Sequence, residues 1–98
     1  MTRTSEQGGV EYAIRRDKDG AWLYDGDMDG TDVAWEPDAD NATWTETPEQ
    51  AVEVADVNRL TTADYTLQDG YSVWERDWVN EEDLTEDWEP AEPRPYKG

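Results

Sequence analysis

The chain reads as a small α+β domain, with an antiparallel sheet of about four or five strands, one or two helices and an extended acidic C-terminal arm. Three observations predict this. Val10, Tyr12 and Ile14 alternate as a half-buried strand requires. Thr47-Pro48-Glu49-Gln50 has the composition of a helix start. Turn clusters, Asp17-Lys18-Asp19-Gly20 and Asp69-Gly70, separate short apolar runs. A length of 98 residues suits one domain. Residues 1–9 read as a flexible start, 10–88 as the domain and 89–98 as a Pro-rich arm.

The elements follow in order. Residues 10–16 form the first strand, and Ala21-Trp22-Leu23-Tyr24 returns beside it after the 17–20 turn. Asp25 to Gly30 is a second turn cluster, Val33-Ala34-Trp35 a third strand, and 37–41 an acidic loop. Thr47 can cap a helix that runs to about Asn58. Pro48 takes its first position, Gln50 completes a capping box, and Ala51, Val54, Ala55 and either Val57 or Asn58 share a face. A rival parse makes 48–51 a single turn, 52–54 a strand and 56–68 the helix. Tyr65-Thr66-Leu67-Gln68 and Tyr71-Ser72-Val73-Trp74-Glu75-Arg76 flank Asp69-Gly70 as the arms of a tight hairpin. Asn80 can cap an acidic helix over 81–88, with Glu81, Glu82 and Asp83 at the positive end of its dipole. Pro90, Pro93 and Pro95 keep the tail extended.

Composition sets acidity against aromaticity. There are 26 acidic and 8 basic residues, a net charge of −18, and six tryptophans. Such a charge resists compaction, yet a solvated acidic tail normally lacks aromatics. Val, Ile, Leu and Phe total only 12 of 98, a level that favours disorder. The core is therefore expected to rest on Trp22, Trp35, Trp44, Trp74, Trp78 and Trp88 with Tyr12, Tyr24, Tyr65 and Tyr71, each able to bury roughly 150–250 Å². The absence of Phe, the single Ile14 and the two lysines point to a GC-rich or salt-adapted genome.

The same composition excludes much chemistry. Histidine and cysteine are absent, which removes the commonest general base, the disulfide frame and the thiolate metal site. No glycine-rich phosphate loop organises the abundant carboxylates, so the expectation is a protein that is not an enzyme and holds no cofactor. No apolar run approaches the ~18 residues of a membrane span, and Met1 to Gly9 is polar, so a cytoplasmic location is expected. Anionic membranes and nucleic acid would repel the chain. Basic proteins and cations would attract it.

Two acidic constellations stand out. Residues 25–36 match the D-x-D-x-D-G-x5-E calcium loop, with Asp25, Asp27, Asp29, Thr31 and Glu36 at the ligand positions and Gly30 at the turn. The surroundings oppose that reading. The approach is strand-like, Pro37 follows Glu36 directly, and Asp32 occupies the usual apolar position. The second constellation is a candidate partner surface. It comprises Asp25, Asp27, Asp29, Asp32, Glu36, Asp38 and Asp40, together with Glu75, Asp77, Glu81, Glu82, Asp83, Glu86 and Asp87, and has Trp78 or Trp88 as an apolar anchor. Eighteen charges correspond to roughly 31 Å of duplex DNA, about nine base pairs, and a compact domain of this length is about 30 Å across. Carboxylates held on one side would thus approach the line charge of DNA. Arg15, Arg16 and Arg76 are expected to pair with nearby carboxylates.

The segments from Glu11 to Asp17, Gly20 to Leu23, Trp44 to Ala51 and Tyr71 to Arg76 resemble small accessory proteins of phages that infect GC-rich bacteria. The likeness covers about a quarter of the chain. In charge and size the chain also resembles phage DNA-mimic inhibitors such as anti-restriction proteins and uracil-DNA glycosylase inhibitors. The resemblance implies an inhibitor that binds the basic surface of a host protein, a nucleic-acid-handling enzyme of restriction, CRISPR, repair or transcription, in the host cytoplasm. The alternatives are a calcium-binding or salt-adapted acidic protein, or a phage structural or accessory protein.

Overall fold

The computed structural model describes residues 9–79 and 89–96. The strands are β1 (Gly9–Arg16), β2 (Trp22–Asp25), β3 (Val33–Glu36), β4 (Tyr71–Val79), β5 (Glu89–Pro90) and β6 (Arg94–Pro95). A single 3-10 turn, Ala39–Asn41, and one α-helix, α1 (Pro48–Val57), lie between β3 and β4. The strands form one antiparallel sheet in the order β3-β2-β1-β4-β5, with β6 joining β4 as well. This is the α+β architecture that the sequence predicts. The acidic helix expected over 81–88 lies outside the described residues.

The first hairpin follows from local chemistry. Gly20, at φ +73°, lets the chain reverse after β1, and Arg16 N–H then donates to the Ala21 carbonyl at 2.7 Å. α1 starts where its signal stands. The Thr47 hydroxyl accepts from Gln50 N–H at 3.1 Å, while the Gln50 side-chain oxygen accepts from Glu46 N–H at 3.0 Å, one residue before the cap. Ala51, Val54 and Ala55 are buried, and the rival parse fails with the helix at 48–57. Val57 is not on the buried face but 44% exposed, and Asn58 ends the helix.

β4 corrects one expectation. Residues 65–68 form no strand, and Leu67 makes only an isolated bridge to Thr61. β4 instead pairs with the whole of β1, from Gly9 opposite Trp78 to Arg16 opposite Tyr71. The physical reason is coverage. β1 offers eight backbone partners and places Ile14 opposite Val73, whereas a four-residue arm could satisfy half of β4 and leave the β1 edge open. Gly70, at φ +100°, makes the turn into β4.

Strand alternation divides the side chains between two faces. On the helix side, Ile14 and Leu23 meet Ala51, Val54 and Ala55, with Tyr12, Trp35, Leu60, Leu67, Tyr71 and Val73 around them. On the opposite side, Trp22, Trp44 and Trp74 pack together, with ring centroids 5.5 and 5.7 Å apart. The expected aromatic core is thus an aliphatic centre with aromatics at its margin, plus a separate tryptophan layer. Tyr65, counted among the core aromatics, is 46% exposed.

The arm closes the far edge of β4. Ala91 N–H donates to the Asp77 carbonyl at 2.7 Å and Tyr96 N–H to the Val73 carbonyl at 2.9 Å. The register slips by one residue between β5, where Trp78 faces Pro90, and β6, where Trp74 faces Pro95. Pro90, Pro93 and Pro95 offer no N–H to a further strand, which protects this edge from pairing with another chain.

Candidate functional site

Four of the five described arginines are engaged by rings or carboxylates of the chain itself. Arg15 does not pair with a carboxylate as expected. Its guanidinium carbon lies 4.7 Å from the Trp22 ring and 4.4 Å from the Trp74 ring, and its Nε donates to the Gly20 carbonyl at 3.0 Å. Arg76 is buried. It donates to Glu11 at 2.6 Å and to Asp40 at 3.0 Å and stacks 4.1 Å from the Trp44 ring. Arg16 sits over Trp35 at 4.4 Å and pairs with Asp19 at 2.8 Å. Arg94 bridges Glu75 at 2.7 Å and Asp77 at 3.1 Å. Among the described cations, Lys18 and Arg59 alone make neither an ion pair nor a ring contact.

The calcium-like loop is organised by protein groups. Asp25 is 1% exposed, not a surface charge. Its Oδ2 accepts from Gly30 N–H at 2.7 Å and from Asn58 Nδ2 at 3.0 Å, which ties the loop to the end of α1; Oδ1 is buried with no hydrogen-bond partner. Asp27 and Asp29 accept from the Thr31 hydroxyl at 3.3 and 2.6 Å. That hydroxyl bond, with the Thr31 N–H, holds the Asp29 carboxyl below its ordinary range. Trp22 opposes Glu36 and Asp25 opposes Val33. Asp25 therefore points to the helix side and Glu36 to the tryptophan side, so these two ligand positions do not converge. Among the described residues no group of three or more acidic side chains is placed to hold a metal.

The remaining predicted carboxylates are divided. Asp27, Asp29 and Asp32 are exposed in the loop beside α1. Asp38 caps the 3-10 turn and, with Asp40 and Glu92, lines a shallow pocket above Arg76. Glu75 and Asp77 are held by Arg94 on the helix side. Trp78, in β4, lies opposite Gly9 of β1 and Pro90 of β5. Glu81, Glu82, Asp83, Glu86, Asp87 and Trp88 lie outside the described residues.

One acidic surface escaped sequence reasoning. Glu49, Glu53 and Asp56 recur at i, i+4 and i+7 along the exposed side of α1. Beside this row lies a groove of about 410 Å³ lined by Met28, Gln50, Glu53, Val54, Asp56, Val57 and Tyr65. Burial, then the Glu53 and Asp56 carboxylates, pushes the Tyr65 phenol above its ordinary range. The helical spacing of the three carboxylates was visible in the sequence. The approach of Met28 and Tyr65 was not, because both come from loops.

The long axis measures 47 Å. Among the described residues the exposed carboxylates lie in separate patches, in the 25–32 loop, along α1 and beside the 3-10 turn. No helix among the described residues is long and apolar enough to cross a membrane. No family model matches the chain, and neither the curated proteins nor the solved structures yield a match.

Proposed function

We propose that this protein binds a basic surface on a partner protein, and that the partner is a nucleic-acid-handling enzyme whose phosphate-binding cations the carboxylates engage. The observation that carries this reading is the engagement of four of the five described arginines within the chain itself. Arg15, Arg76, Arg16 and Arg94 are committed to rings and carboxylates of the same chain, and Asp27, Asp29, Asp32, Glu49, Glu53 and Asp56 face solvent without a paired cation. A surface of this kind repels nucleic acid and steers cationic partners toward it. Extended cationic surfaces are what phosphate-binding proteins present. The separate patches of described carboxylates favour occupation of a few phosphate subsites over imitation of a continuous duplex.

The test immobilises the chain and challenges it with bacterial lysate. A nucleic-acid-handling enzyme should be retained at about 50 mM salt, released by about 500 mM and displaced by added duplex DNA. Retention of no such enzyme at low salt, or retention indifferent to duplex, overturns the proposal.

A further inference from the structure

Four large apolar side chains are prominently exposed among the described residues, namely Met28, Val33, Val57 and Tyr65, and three of them line the groove beside α1. Their backbone makes the arrangement costly. Met28 has φ +58° and Tyr65 φ +63°, the left-handed region that glycine and asparagine tolerate best. Each is still about half exposed, at 47% and 46%, so much of its apolar surface is left facing water. A cluster of this kind on a protein poor in apolar residues marks a contact surface.

The rim gives the sign of the partner. Glu53 and Asp56 line the groove, Glu49 continues the row one turn earlier, and Asp27 and Asp29 flank Met28 in the chain. A second copy of this protein would bring another 18 negative charges to the same place. We propose that the groove receives an apolar side chain flanked by lysines or arginines on the partner, the apolar group lying between Met28, Val57 and Tyr65 and the cations meeting Glu53 and Asp56. This inference rests on the reading of the partner as basic and adds to it an apolar anchor and its seat.

Two seven-residue peptides test it against the full-length chain labelled for NMR. Both carry three lysines on each side of the centre, which is tryptophan in one and alanine in the other. The tryptophan peptide should bind about fivefold tighter, with the largest shifts at Met28, Val54, Val57 and Tyr65. In a Met28→Asn, Tyr65→Asn variant, which keeps residues suited to the left-handed backbone, the two peptides should bind alike. A second variant, Glu53→Gln with Asp56→Asn, should weaken both peptides. Equal affinity in the unaltered chain, or a preference that survives both asparagines, overturns the groove while leaving a basic partner in place. Failure of both peptides to bind at low salt overturns the basic-partner reading and the groove together. A sedimenting dimer that the asparagine variant splits also overturns the proposal, since a second copy would then be the occupant.

Discussion

Replacing Arg76 by methionine should remove most of the stability of this fold. Arg76 and Glu11 have side chains only 7% and 4% exposed and lie 2.6 Å apart, directly opposite each other on β4 and β1. Leaving one member of a buried pair without the other costs about 3–5 kcal/mol. The Trp44 ring at 4.1 Å loses its cation as well, a contact worth about 1–2 kcal/mol when shielded from water. Asp40 adds little, because its side chain is 71% exposed. Small domains hold about 5–15 kcal/mol in total. Together these losses come to about 4–7 kcal/mol, so at roughly 4–8 °C per kcal/mol the variant should melt about 15–55 °C lower. Urea titration followed by tryptophan fluorescence and circular dichroism measures this directly. The decisive companion is Glu11→Leu with Arg76→Met, which removes both charges and should return to within about 2 kcal/mol of the parent. A single variant losing less than about 1 kcal/mol, or a double variant no better than the single, would refute the assignment of this pair as a buried and mutually dependent unit.

Other outcomes follow from the same structure. Gly30→Ala should cost about 1–3 kcal/mol in urea unfolding, because φ is +86° and the new Cβ would lie 2.9 Å from the Val57 carbonyl; an unchanged midpoint would remove the loop-to-helix tie. The Asp19 carboxyl, held by the Arg16 guanidinium and then by Ala21 N–H, should titrate at about 2 in carbon-detected NMR and move toward 3.8 in Arg16→Gln. Its folded-state value is depressed, so its contribution to stability is present above pH 3.8 and fades as pH falls through about 2. Raising sodium chloride from about 10 mM to 500 mM should raise the melting temperature, since the screening length shrinks from about 30 Å to a few ångströms and self-repulsion falls with it; a flat or falling melting temperature would mean that the exposed carboxylates do not strain the fold.

The local signals were readable in advance. Alternation at Val10, Tyr12 and Ile14, the turn before Gly20 and the Thr47 cap each involve neighbours in the chain, and each stands where it was expected. The partner of β4 was not readable, because Asp69-Gly70 is a valid turn whichever strand follows it. The fate of the arginines was equally hidden. In a chain where carboxylates are everywhere, Arg76 finds Glu11, while Arg15 finds two indoles instead. The acidic loop at 25–36 carried a metal-like spacing, but strand pairing turns Asp25 and Glu36 to opposite faces.

Composition and periodicity by themselves determined an acidic α+β domain with an unusual dependence on aromatics, and offered a helix from Pro48 to about Asn58 beside a rival at 56–68 that only the structure removed. Those properties follow from charge count and from repeats of two and 3.6 residues, which need no knowledge of distant contacts. Tertiary structure alone decided which carboxylates are buried, which are neutralised and which remain exposed. It alone brought Met28 and Tyr65 to the same groove. Such placements depend on pairing between segments far apart in the chain, and the energy that selects them comes from whole faces packing at once, not from any one stretch of residues.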